Sequence, residues 1–114
     1  MFIFCSCSKN KGGDSKEEIN ITYELLSFNF TPQTDTEGER LMYQIKFINN
    51  SNINVSGVPK VYTLIDGFST SKIIDQCRNI SSHNSCTINV DITDENPSIS
   101  PNSIEFISAE YILD

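Results

Sequence analysis

Alanine, the residue with the highest helix propensity, is almost missing from this sequence: Ala109 is the only one among 114 residues. No segment repeats apolar residues at helical spacing, whereas isoleucine, phenylalanine, tyrosine, valine and threonine are abundant. The composition therefore argues against helices and predicts β-strands. At this length the chain holds one domain with a modest hydrophobic core.

Basic residues are also in short supply, with 8 lysines and arginines against 15 aspartates and glutamates and a net charge of -7. A nucleic-acid phosphate backbone repels such a domain, so we exclude nucleic acid as a partner. The same repulsion disfavours non-specific adhesion of the folded part to an anionic lipid surface. We interpret the negative charge as a source of solubility.

Long apolar runs and internal repeats are missing as well. After the N-terminus, no segment approaches the roughly 20 apolar residues that a membrane-spanning helix needs. A single unrepeated domain also argues against a long stalk built from stacked units.

Recognisable catalytic sets are missing too. The only histidine, His83, lies in the polar loop of residues 78–85, together with Ser81, Ser82 and Ser85. No glycines surround these serines as they do at a nucleophile elbow, so we expect an exposed loop histidine rather than a catalytic dyad. No other acid–base or nucleophile–base pair stands in a plausible context, and we predict that the protein is not an enzyme.

Four cysteines are present, in two groups: Cys5 with Cys7, and Cys77 with Cys86. The second pair flanks the polar loop, and a disulfide between them would stabilise the fold by about 2.7 kcal/mol through loop closure. Such a bond persists only in an oxidising compartment, so the predicted disulfide agrees with export. The spacing of the four cysteines does not suit a zinc site.

Acidic and amide side chains cluster at residues 35–39 and 91–96, where they could offer oxygen ligands to calcium. Neither cluster has the spacing of an EF-hand, and such residues are common in turns. We therefore interpret both clusters as turn residues and expect no metal and no cofactor.

Strict alternation of apolar and polar residues predicts strands around residues 41–47 and 86–92. Residues 19–30 and 104–113 alternate as well, but each segment switches parity once. The switches lie near Leu25 and Leu26 and near Phe106 and Ile107, which indicates β-bulges. Turns are predicted at residues 31–39 and at Asp66-Gly67.

The middle of the chain is less regular. Residues 53–58 predict a short strand that ends at Gly57 and Pro59, because proline cannot donate to a ladder and marks a sheet edge or a strand start. A further strand is expected at residues 61–65 and a short one around Ile73 and Ile74. This spacing of strands and turns predicts a sandwich or a small barrel.

The N-terminus begins with a short apolar run, which is followed by Phe4-Cys5-Ser6-Cys7 and a polar tract. This order resembles the lipobox of bacterial lipoproteins, in which a small residue precedes the cysteine that receives the lipid. The resemblance implies that Cys7 is acylated and that residues 1–18 are a residual signal and a flexible tether, while residues 19–114 form the domain. It implies a bacterial cell-envelope protein, exported and lipid-anchored on the periplasmic or surface face.

The match to a signal peptide is incomplete. A signal peptide has a basic segment and an apolar stretch of about 7–15 residues, whereas the apolar run here covers only residues 1–5. We expect that the natural start lies upstream or that the chain is trimmed. The alternative is an apolar terminus without any targeting role.

Residues 45–51, a strand followed by an asparagine-rich turn, resemble immunoglobulin-like accessory domains of bacterial surface proteins. The resemblance implies an immunoglobulin-like antiparallel β-sandwich of six or seven strands. Antibody hallmarks are missing, since there is no tryptophan and Cys77 and Cys86 are too close in sequence to bridge two sheets.

These features predict a non-enzymatic binding or assembly module that a lipid holds at a membrane and that acts on an unknown protein or glycan through loops or a strand edge. One alternative is an inhibitor or accessory subunit of an exported enzyme, acting through residues 77–86, and another is a structural spacer. Five aromatic residues could line a binding face but are more typical of cores and cross-strand pairs: Tyr23, Tyr43, Tyr62, Phe68 and Tyr111.

Overall fold

The computed structural model describes residues 18–34, 38–94 and 101–114. Within these residues it contains seven β-strands and no helix, which confirms the all-β prediction. Residues 1–17, which carry nearly all of the predicted signal and tether, lie outside the described residues. The strands are β1 (Ile21–Thr31), β2 (Glu39–Asn49), β3 (Val55–Ile65), β4 (Phe68–Ile73), β5 (Asn79–Ile80), β6 (Ser85–Asp94) and β7 (Ile104–Leu113).

The strands form two antiparallel sheets. The first sheet has the order β1-β2-β6, so that β2 is its central strand. In the second sheet β3 is central, with β4 and β5 in succession along one edge and β7 along the other. In the first sheet β1 is an edge strand, and in the second sheet β7 is one.

Both sheets contribute side chains to one hydrophobic core. In β2 the odd-numbered residues Tyr43, Ile45 and Phe47 are buried, whereas their even-numbered neighbours face outward. The core cluster comprises Tyr43, Ile45, Phe47, Val55, Val61, Ile74, Ile80, Ile88, Val90 and Ala109. On β2 and β3 the period-two pattern of the sequence thus separates the core face from the opposite face, whereas all six residues of β4 are exposed.

The two predicted bulges are confirmed. The β1–β2 register shifts between Leu25 and Ser27, which leaves Leu26 without a partner in β2. The β3–β7 register shifts where Ser108 and Phe106 face consecutive residues of β3, which leaves Ile107 unpaired. A parity switch in the sequence marks each bulge because the extra residue moves all later side chains to the opposite face.

The prediction that a strand ends at Gly57 and Pro59 is wrong, because β3 runs through both residues as the central strand of its sheet. The nitrogen of Pro59 faces the gap between the end of β4 and the start of β5. There the carbonyl of Pro59 accepts a bond from Ile74 N, and the carbonyl of Ile74 accepts one from Gln76 N. Pro59 therefore leaves its own strand continuous, and the missing N–H lies opposite the break between β4 and β5.

The turn at Asp66-Gly67 joins β3 to β4 directly and is confirmed. Both residues have positive φ angles, 50° and 87°, as a two-residue type I′ hairpin requires. The Asp66 carboxylate also accepts the main-chain N–H groups of Asn102 and Ser103 at 2.8 and 3.0 Å. This turn therefore holds the chain that leads into β7.

Candidate functional site

The structure joins Cys77 to Cys86 by a disulfide, with the two Cα atoms 5.8 Å apart. Cys86 lies in β6, and Cys77 lies in the segment between β4 and β5. Both cysteines are partly buried against the core. The predicted lipidation site, Cys7, lies outside the described residues.

Gln76 covers the outer edge of β6. Its amide nitrogen donates to the carbonyl of Asn89 at 2.8 Å, and its amide oxygen accepts the N–H of Asn89 at 2.9 Å. With the adjacent disulfide, this pair holds residues 74–78 across the free edge of the first sheet. On this side the two sheets are therefore linked at Cys86 and Asn89.

Asn49 ties together the loops at the disulfide end of the protein. Its side chain is fully buried, with 0% exposure. The amide nitrogen donates to the carbonyls of Ile53, Ile80 and Ser81 at 2.9, 3.0 and 3.3 Å, and the amide oxygen accepts Ser51 N at 2.9 Å. The loop between β2 and β3 and the loop between β5 and β6 are thus fixed to one side chain.

His83 lies in an exposed loop, and its Nε2 atom is 2.8 Å from the side-chain oxygen of Asn52. The hydroxyl of Ser82 donates to the carbonyl of Ser51 at 2.7 Å and is not directed at the imidazole. The geometry of these residues is that of loop-to-loop hydrogen bonding. The prediction that the protein is not an enzyme stays a prediction.

The acidic residues Asp91 of β6 and Glu39 of β2 have pKa values that shift in opposite directions. Arg40 binds the carboxylate of Asp91 in a bidentate pair at 3.1 and 2.9 Å, and this hydrogen bonding lowers the Asp91 pKa. At Glu39 desolvation, followed by the negative charge of Asp94, raises the pKa. Among the described residues no group of three or more histidine, cysteine, aspartate or glutamate side chains could hold a metal ion.

A groove opens between β1 and β7 on the side opposite the Gln76 segment. Its volume is about 500 Å³, and it lies between the edge strand of each sheet. The residues that line it, here called the edge groove, are Ile21, Thr22, Tyr23, Phe47, Ala109, Glu110 and Tyr111. Its floor is the ring of Phe47, a fully buried core residue.

Aromatic contacts set the shape of the edge groove. The rings of Tyr23 and Phe28 lie 6.0 and 5.9 Å from Phe106, and these contacts close one end. On the other side Tyr111 lies 6.0 Å from Phe47, and its hydroxyl donates to the carbonyl of Cys77 at 2.7 Å. Desolvation, and to a smaller extent the charge of Asp114, raises the Tyr111 pKa, which favours the neutral, donating form.

Both walls of the edge groove end in strand edges that have no ladder partner among the described residues. Asn50 N bonds to Asn20 O, so the antiparallel alternation directs the main-chain groups of Ile21 and Tyr23 away from β2. In the same way, the bond from Asp114 N to Ser56 O directs those of Ala109 and Tyr111 away from β3. The groove thus combines apolar side chains with two rows of free peptide groups.

Two of the five aromatic residues predicted to belong to a core or a binding face, Tyr23 and Tyr111, line the edge groove. Tyr43 is buried in the core, the hydroxyl of Tyr62 donates to Glu110 on the outer face, and Phe68 is 78% exposed beside the β3–β4 turn. The groove itself was not predicted. No signal in a single sequence shows that β1 and β7 are neighbouring edges.

Comparisons of this chain with protein-family models, with curated proteins and with solved structures find no match. Within the described residues there is also no helix with the length and apolarity to cross a membrane.

Replacing Cys77 and Cys86 by serine together should lower the free energy of unfolding by about 2.7 kcal/mol, since the unfolded chain then regains the freedom of the short closed loop. For a domain of this size, that loss corresponds to a fall in melting temperature of roughly 10–20 °C. Thermal unfolding followed by circular dichroism, with and without dithiothreitol, measures the effect. Dithiothreitol should lower the melting temperature of the wild type and leave that of the double variant unchanged. Equal melting temperatures of the wild type and the double variant without dithiothreitol would refute the prediction.

Proposed function

We propose that this protein is an exported, lipid-anchored and non-enzymatic binding or assembly module of the bacterial cell envelope, and that the edge groove is its binding site. The observation that carries the proposal is the pair of free strand edges on either side of an apolar floor. Free peptide groups add affinity for an extended segment, and side-chain pockets between them add specificity.

The strand order supports an immunoglobulin-like architecture for the module. In constant-type immunoglobulin domains, strands A, B and E share one sheet, and strands C, F and G share the other. The order β1-β2-β6 corresponds to A-B-E, and the pairing of β3 with β7 corresponds to C with F. Strand G, which flanks F in that fold, has no counterpart among the described residues, and its place is the edge groove.

The disulfide supports an oxidising compartment, because such bonds are rare where thiols are kept reduced. The lipobox-like segment supports attachment through Cys7. Residues 8–18 would then serve as a tether that reaches at most ~36–40 Å when extended, which would hold the domain clear of the lipid headgroups. Burial of acyl chains at about 0.8 kcal/mol per methylene makes two or more chains a stable anchor.

Localisation tests the proposal. A Cys7→Ser variant expressed from the complete gene should move from the membrane fraction to the soluble periplasmic fraction, because it loses its lipid anchor and keeps its fold. The matched control is Cys5→Ser, which should remain in the membrane fraction. Equal partitioning of wild type and Cys7→Ser would refute the lipid anchor and leave residues 1–7 as an apolar terminus.

A further inference from the structure

We propose that the edge groove binds an extended segment of another polypeptide, which adds as a strand to the free edge of β7. The segment carries apolar side chains at alternate positions and lysine or arginine between them. This inference rests on the proposed role as a binding module and names the chemistry of the partner.

Among the described residues, the edge groove is the place where regular strand edges lie beside an apolar floor. The bulges at Leu26 and Ile107 distort the edges at the closed end, whereas residues 21–25 of β1 and 108–113 of β7 keep an unbroken register. Elsewhere Gln76 occupies the main-chain groups of Asn89 on the edge of β6, and β4 is a short edge that carries Lys72, a residue type that discourages strand addition.

The lining of the groove selects apolar side chains at every second position. Tyr23, Ala109 and Tyr111 point inward from the two edges, and the Phe47 ring lies between them. A strand paired with β7 would direct alternate side chains onto this floor. Ala109, the only alanine of the chain, has a small side chain that leaves room for them.

The charges along the two edges select basic residues at the positions between. Strands β1 and β7 contain Glu24, Glu105 and Glu110 and no lysine or arginine, although Glu24 and Glu110 each face a lysine on the neighbouring strand, Lys46 and Lys60. Glu110 lies on the outer face of β7, next to the position that an added strand would present to solvent. Because cross-strand pairs of opposite charge are favourable and the chain carries a net charge of -7, a cationic segment fits this edge.

The same charges argue against a second copy of this chain as the occupant. Pairing of β7 with β7 or with β1 would bring only glutamates together, and like charges on neighbouring strands are destabilising. The segments of this chain outside the described residues do not qualify either. None of them alternates polar residues with aliphatic or aromatic ones over five positions.

Amide hydrogen exchange measured by NMR on the full chain tests the proposal. The probe is a synthetic seven-residue peptide of alternating lysine and valine. With the peptide at about ten times its Kd, exchange at the amides of Ala109 and Tyr111 should slow roughly tenfold. An alternating glutamate–valine peptide, and a peptide that has the lysines and valines in two separate blocks, should give no protection there.

Two variants connect the effect to the β7 edge. Ala109→Pro removes an N–H that faces the groove and should abolish protection of Tyr111 by the peptide. The matched control is Ser71→Pro on β4, where the bond from Ile74 N to Pro59 O places the Ser71 N–H on the outer edge as well. If Ala109→Pro does not fold, Glu110→Lys serves instead and should reverse the preference toward the glutamate–valine peptide.

The proposal is overturned if the lysine–valine peptide leaves exchange at Ala109 and Tyr111 unchanged, or if the block peptide protects them equally. It is also overturned if Glu110→Lys binds both alternating peptides as the wild type does. These results are separate from the localisation test. If Cys7→Ser leaves the membrane while the peptide fails, the anchored module stands and this partner chemistry is wrong.

Discussion

Replacing Asn49 by leucine is expected to lower the free energy of unfolding by about 4 kcal/mol, a large part of the 5–15 kcal/mol typical of a small domain. Leucine matches the side chain in size but neither donates nor accepts. The buried carbonyl of Ile80, the buried N–H of Ser51 and the partly buried carbonyl of Ile53 would lose their partner. Each stranded buried group costs roughly 1–3 kcal/mol.

Urea unfolding followed by tyrosine fluorescence measures this loss. The control is Asn50→Leu, because Asn50 is exposed and its amide bonds only to the Thr22 hydroxyl, at 3.1 Å. That variant should lose less than about 1 kcal/mol. A loss at Asn49 no greater than the loss at Asn50 would show that the two loops hold together without this side chain.

Replacing Gly57 by alanine should cost about 3 kcal/mol or more, because the added methyl group has no room. A Cβ at this position would overlap the carbonyl oxygen of Ile112 and lie 3.0 Å from Leu113 Cα. Both contacts are main-chain atoms of β7, so no side-chain rotation can relieve them. The β3–β7 pair would have to separate, and the free edge of β7 would move with it.

The matched control is Gly67→Ala, at the β3–β4 turn. No atom of the described residues lies within 4 Å of a Cβ there, and the φ angle of 87° is what opposes the substitution. That conformation costs a non-glycine residue about 1–2 kcal/mol. Thermal unfolding should therefore give Gly57→Ala a clearly lower melting temperature than Gly67→Ala. The reverse order would contradict the close approach of β7 to β3.

The two substitutions also separate stability from binding. Asn49 holds the loops at the disulfide end of the protein, where Gln76 bonds to the edge of β6. Gly57 holds β7 against β3 and so positions one wall of the edge groove. If the peptide binds at the groove, Gly57→Ala should lose affinity for the lysine–valine peptide more strongly than Asn49→Leu. Both variants are measured at one temperature at which each is folded.

Side-chain periodicity was sufficient to predict most strands of this protein. The alternation over residues 104–113 matches β7, and the two parity switches coincide with the bulges beside Leu25 and at Ile107. The cysteine spacing predicted the Cys77–Cys86 bond. These features are local, because burial on one face of a strand imposes a period of two on the residues themselves.

Pro59 shows where local reasoning failed. The missing N–H of proline is a property of the residue, and it correctly predicts an interrupted ladder. Which ladder is interrupted depends on which side of β3 that nitrogen faces and on which strand lies there. All three strands that pair with β3 come from later in the chain, so the sequence around Pro59 could not distinguish the end of a strand from a gap between its neighbours.

The sequence by itself therefore determined where most strands lie, which face of the alternating strands is buried, where bulges interrupt the pattern and which cysteines can pair. Only the tertiary structure decided that β1 and β7 are neighbouring free edges and that Gln76 covers the edge of β6. The physical reason is the direction of the interactions. Side chains point perpendicular to a sheet, so the sequence records which face of a strand is buried. Strands pair in the plane of the sheet through peptide groups, which are the same in nearly every residue and so do not record which strands are neighbours.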